Sequence, residues 1–203
     1  MKKTTTMLIL LCVAAFAQEK GTFTDTRDKK TYKTVKIGEQ IWLAENLNYG
    51  AKGSNCYGKK PANCAKYGRL YDWSTAKSAC PKSWHLPSKE DWDKLIVTVG
   101  DSLTGGKHLK ATSGWKNNKN GNLGNGKDTY GFAALPGGMQ GFAPPDGDYF
   151  NDVGEEGYWW SSWTGCSETS NPCFQTILHN NEAVKWSFVY EGDVNLSVRC
   201  VQD

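Results

Sequence analysis

Long apolar runs are scarce in this chain. One, Met7 to Ala17, follows Met1-Lys2-Lys3-Thr4 and closes on the small-x-small site Ala15-Phe16-Ala17. That pattern predicts a secretory signal peptide over residues 1–17, cleaved near Ala17 and too short to span a bilayer as an ordinary helix. Cys12 follows Leu11 rather than a small residue, which argues against lipoprotein processing there. Beyond Ala17 no apolar stretch approaches the roughly 18 residues of a membrane span. Residues 18–203 therefore read as one secreted or cell-surface domain that is not membrane-spanning. An excess of one charge sign is missing too. Loss of Lys2 and Lys3 takes the formal net charge from +3 to +1, and a near-neutral chain excludes nucleic acid as the expected partner, since phosphate binding rests on clustered positive charge. The local excess Lys29-Lys30-Thr31-Tyr32-Lys33 reads as an edge strand protected by lysines.

Motifs of known chemistry are equally sparse. No CxxC pair occurs, and His85, His108 and His179 are scattered, which excludes the usual zinc spacing. Ser161 and the histidines carry no flanking catalytic motif, and paired carboxylates do not rise above background, so the expectation is a chain that is not an enzyme. Gly121 to Asp128 comes within one residue of a P-loop, but Asp128 stands where the magnesium-binding Ser or Thr is required, and the stretch reads as a surface turn.

What the chain has is cysteine, tryptophan and glycine. Of seven cysteines, Cys12 lies in the leader, and the six that remain read as three disulfides in an exported protein. Spacing makes Cys56 with Cys64 and Cys166 with Cys173 local clasps around Pro-containing loops, leaving Cys80 with Cys200 as a long-range bond. Nine Trp and 22 Gly imply abundant loops and a core built largely from aromatic rings.

The strongest local signals lie between Tyr71 and Val99. Asp72 is placed to cap a helix in which Trp73, Ala76 and Cys80 share a face. Ser88 and Asp91 form a capping-box pattern ahead of Trp92, Leu95, Ile96 and Val99, and Gly100 ends that second helix. A hairpin turning at Gly38-Glu39 is expected before them, and four strands after Tyr158, the last running from Leu196 to Cys200. Residues 101–155 lack periodicity but hold many aromatics, which predicts ordered loops.

Two sets of side chains are site candidates. Trp115, Tyr149, Trp163 and Trp186 lie in or beside loops, where a flat ring can stack on a sugar or a partner aromatic. Asp146, Asp148, Asp152 and Glu155, beside Glu156, could hold Ca²⁺, although Gly-Asp turns of this kind are often merely solvated.

The runs Thr31-Tyr-Lys-Thr-Val-Lys-Ile-Gly, Ile41-Trp-Leu-Ala-Glu-Asn-Leu-Asn-Tyr49, Cys80-Pro-Lys-Ser-Trp-His-Leu-Pro-Ser88, Gly131-Phe-Ala-Ala-Leu-Pro-Gly-Gly138, Gly157-Tyr-Trp-Trp-Ser161 and Ser197-Val-Arg-Cys200 resemble the Fibrobacter succinogenes major paralogous domain, a family of exported bacterial proteins. More distantly, a helix ending in Cys80, a Leu86-Pro87-Ser88 entry to a second helix, long loops and a final strand ending in Cys200 are similar to the C-type lectin fold, which supports the Cys80–Cys200 pairing. The Leu-Pro-Ser piece also resembles the formylglycine-generating enzymes. The lectins' Glu-Pro-Asn calcium motif and the formylglycine enzymes' oxidase cysteines are not found here. The resemblance implies an α+β, C-type-lectin-like domain, two helices packed on short antiparallel sheets with long loops. Its expected role is a non-catalytic binding or adhesion module for polysaccharide or a cell-surface partner, acting through the loops from Gly106 to Asn180. The competing expectations are a formylglycine-generating-type or carbohydrate-active enzyme and a structural surface or matrix protein.

Overall fold

The computed structural model describes residues 19–203 other than 118, 122, 123, 144 and 146, so the expectations for the leader, Cys12 and Asp146 fall outside the described residues. In chain order the strands are β1 Lys20–Thr24, β2 Thr31–Ile37 and β3 Gln40–Leu43, followed by a 3₁₀ turn at Tyr57–Lys59 and helix α1 Pro61–Tyr67. Next come β4 Leu70–Tyr71, α2 Trp73–Ala79, β5 Trp84–His85, α3 Lys89–Val99 and α4 Gly105–Leu109. The remainder is β6 Met139–Ala143, β7 Gly147–Asn151, β8 Glu156–Trp160, β9 Cys173–Leu178, β10 Val184–Phe188, β11 Val194–Ser197 and β12 Val201–Gln202.

The strands form two sheets. The smaller runs β1-β2-β3-β12-β5, and the larger β10-β9-β8-β11-β6-β7 with β4 also paired to β11. All named pairings are antiparallel except β11 with β8. The β2–β3 turn is the two residues Gly38-Glu39, with Gly38 at φ 60°, so Ile37 faces Gln40 across the ladder. Where the sequence pattern predicts one last strand from Leu196 to Cys200, the chain instead changes sheet. β11 ends at Ser197, and Val198 to Cys200 carry the chain across to β12. That crossing is held by backbone bonds, Leu47 N to Val198 O at 2.8 Å and Leu43 N to Cys200 O at 3.0 Å.

Both expected helices form for the expected reasons. Asp72 accepts from Thr75 N at 2.8 Å, and α2 buries Ala76 and Ala79, with Cys80 just past its end. Ser88 and Asp91 close the full capping box, and α3 buries Trp92, Leu95, Ile96 and Val99. The structure adds α1, α4 and the β6–β7 hairpin, which lie in segments that read as loops. The core is split between two clusters, and neighbouring residues feed opposite ones: Trp42 and Trp159 enter the first, Leu43 and Trp160 the second. Successive side chains of a strand point to opposite faces, so β3 and β8 are buried on both sides.

The three disulfides pair as expected, Cys56–Cys64, Cys80–Cys200 and Cys166–Cys173. They point to an extracytoplasmic protein, because thiols are kept reduced in the cytosol. No helix among the described residues is long and apolar enough to cross a membrane.

Candidate functional site

Between the β1–β2 pair, the chain leaving β3, the end of α1 and the segment around residues 128–135 lies a cleft of about 570 Å³. Its walls are set by backbone. Gly68 ends α1 at φ 76° and abuts Asn46 and the carbonyl of Leu47, where any Cβ would collide, so α1 is pressed against the strand exit. On the other wall Asp128 and Ala133 both adopt positive φ, 45° and 52°, and Asp128 accepts from Ala133 N at 2.7 Å. Burial pushes the Asp128 carboxyl above the usual range; the Ala133 N–H and the nearby Arg199 pull the other way.

Beneath the cleft sits Arg199, 0 % exposed. Its Nε and Nη2 donate to Asn46 Oδ1 at 3.1 and 2.7 Å, Nη1 donates to the carbonyls of Leu43 (3.1 Å) and Phe132, and the guanidinium lies 4.5 Å over the Phe132 ring. Asn46 Oδ1 also accepts from Trp159 Nε1 at 2.9 Å, while its Nδ2 donates to Tyr67 O at 2.8 Å and Ser197 Oγ at 3.3 Å. Among the described residues no carboxylate forms a salt bridge with Arg199. Burial pushes its pKa down to about 9, which leaves it cationic at neutral pH. The acids that act on it through space, Glu45 and Asp128, are the two acids lining the cleft.

A second face gathers aromatics. In the β9–β10 ladder Trp186 faces Gln175 and Phe188 faces Cys173, so the two aromatic side chains share one side of β10. Trp163, just ahead of the loop clasped by Cys166–Cys173, meets Trp186 edge-on with ring centres 5.0 Å apart, and Lys89 Nζ lies 5.5 Å over the Trp163 ring. With its amide suitably oriented, Gln175 accepts from Trp186 Nε1 at 3.2 Å and so holds the indole from beneath. Both indoles are partly exposed, and Phe188 is 48 % exposed at the end of the row.

Of the four aromatics singled out in the sequence, the structure brings Trp163 and Trp186 together. Trp115 is corrected to core: it is 4 % exposed and its Nε1 donates to Ala134 O at 2.9 Å. Tyr149 is exposed but lies on β7, at the opposite edge of the larger sheet from β10, with its ring over Gly141. The acidic set is spread among separate partners. Asp148 pairs with Lys59 at 2.9 Å, Glu155 with Lys116 at 2.7 Å, and Asp152 accepts from Tyr158 OH at 2.9 Å. Among the described residues no group of three or more His, Cys, Asp or Glu is placed to hold a metal. No local sequence signal groups Asn46, Asp128 and Arg199, although Asn46 and Arg199 each fall inside a family-like run.

His85, scattered in sequence, bridges two acids in space: Nδ1 meets Asp203 Oδ1 at 2.7 Å and Nε2 meets Asp91 Oδ2 at 3.0 Å. Burial lowers the His85 pKa, but the bonds and charges of Asp203 and Asp91 outweigh it and the net shift is upward. Asp91 is pushed up by burial and held down, on balance, by Ser88 and His85. The His85 contribution is therefore fully present below the ordinary histidine pKa, about 6.5, and lost as pH rises through the raised folded value. The Asp91 contribution is present above about 3.9 and lost as pH falls through its lowered folded value. With the His85 side chain 41 % exposed, screening keeps the effect small. A His85→Gln chain should show its largest Tm deficit near pH 5–6 and a smaller one at pH 9, read by thermal unfolding across pH.

The fold is a disulfide-tied, mixed α/β domain of antiparallel sheets and few helices. The chain belongs to the Fibrobacter succinogenes major domain family, whose model matches residues 35–202 and so takes in both Asn46 and Arg199. No curated protein and no solved structure matches it.

Proposed function

We propose that this chain is an exported, non-catalytic binding module of C-type-lectin-like fold that recognises polysaccharide through the strip Trp163, Trp186 and Phe188. The observation that carries this reading is the strip itself: two partly exposed indoles in contact and a Phe two residues along the same strand face, beside a loop pinned by a disulfide. Aromatic faces suit sugar rings, and a pinned loop loses little entropy on binding. Gln175 beneath Trp186 and Lys89 over Trp163 orient the rings before any ligand arrives. Pairing of all six cysteines of the described chain supports a role other than thiol chemistry.

The test is retention of the mature protein on insoluble plant polysaccharides and on a glycan array. Retention is expected, with Trp163→Ala and Trp186→Ala each reducing it at least tenfold; Trp186 also packs against a core cluster, so its variant is compared at a temperature where its circular dichroism matches wild type. Absence of retention on every surface, or variants that bind like wild type, would sink the carbohydrate reading.

A further inference from the structure

The geometry points to a second binding site, separate from the aromatic strip: the cleft over Arg199 takes a uronate, a sugar bearing a carboxylate, as a monomer or short oligomer. Its volume of about 570 Å³ falls within the range of small-molecule sites. Lys20, Lys33 and Lys66 line it, and among the described residues none of their ammonium groups is in a salt bridge. Lys30, also at the rim, is already engaged by Asn48 O and Asp28.

Under this rim lies a full positive charge in a dry site. Arg199 is held by carbonyl and amide oxygens and a ring face, which satisfy its N–H groups without cancelling its charge. Low-dielectric walls focus such a field into the open space above, so the cleft favours an anion. The same walls limit which anion. Glu45 and Asp128 each give one oxygen to a backbone N–H, of Lys33 and Ala133, and keep acceptor capacity that suits ligand hydroxyls and opposes two negative charges concentrated on one group. One carboxylate set among hydroxyls fits that mixture; a phosphate dianion does not.

Calorimetry with trigalacturonate at low ionic strength tests this. Binding is expected, weakening as salt rises, with no heat from cellotriose. The exposed-rim double variant Lys33→Glu, Lys66→Glu should lose at least tenfold in affinity with Tm unchanged, and Trp186→Ala should bind trigalacturonate like wild type. That last variant separates this site from the strip, whose own test reads neutral insoluble glycans. No heat with trigalacturonate, an unaffected double variant, loss of binding in Trp186→Ala, or equal competition by inorganic phosphate would each overturn the assignment.

Discussion

Asn46→Ala is expected to lower the free energy of unfolding by about 3–5 kcal/mol, the range for stripping a buried charge of its partner. One amide oxygen accepts from Trp159 Nε1 and from two nitrogens of Arg199, and the amide nitrogen donates to Tyr67 O and Ser197 Oγ. Truncation leaves those donors unpaired in a site where Arg199 is 0 % exposed and Trp159 1 %. Each orphaned buried group costs about 1–3 kcal/mol. Asn46→Asp is the informative companion. It keeps the acceptors and sets a carboxylate against the guanidinium, but it gives up the donation to Tyr67 O, so its loss should be smaller than that of alanine at pH 7. Urea unfolding of the two variants reads this directly. An alanine variant within about 1 kcal/mol of wild type, no more than a typical net hydrogen bond, would mean that the hub is not what holds the arginine.

That hub also marks where the sequence could be read and where it could not. Helices α2 and α3 were legible because their signals are local: Asp72 and Ser88 cap within three residues, and the apolar stripe of α3 repeats over two turns. Helix α1 hides because it begins at Pro61 without a side-chain cap, spans seven residues and carries a disulfide cysteine where a periodic apolar residue would signal a helix. Helix α4 is glycine-led, and its glycines are there for close approach: a Cβ at Gly106 would strike the backbone of Glu182 and Ala183. The split of the last strand is invisible for a different reason. Val194 to Val201 is buried residue by residue, so no alternation betrays the change of sheet. Arg199 reads as a surface residue by type, since a buried arginine is the exception. Its burial depends on acceptors from Leu43, Asn46 and Phe132, all distant in sequence. The aromatic strip is half legible: composition marks the indoles, but only the tertiary ring contact pairs Trp186 with Trp163 while Trp115 turns into the core.

Removing the Cys80–Cys200 bond by the double change Cys80→Ala, Cys200→Ala is expected to cost about 4–5 kcal/mol, against roughly 2–3 kcal/mol for the same change at Cys166 and Cys173. The ranking follows from chain entropy: the first bond closes a sequence separation of 120 residues and the second one of 7. Position adds to it. Cys200 is 0 % exposed at the crossing between the two sheets, one residue after Arg199, and Cys80 lies just beyond the last turn of α2. The bond therefore fixes the end of α2 to the segment that presents Arg199 to Asn46. Loss of the long-range bond should loosen the segment that presents Arg199 to Asn46, so its cost and that of Asn46→Ala should be coupled rather than additive. Removing Cys166–Cys173 should cost the smaller amount and in addition loosen the segment that carries Trp163. Denaturant unfolding of both double variants, alone and combined with Asn46→Ala, checks ranking and coupling together. Equal costs for the two bonds would show that the long closure is offset by structure retained in the unfolded chain.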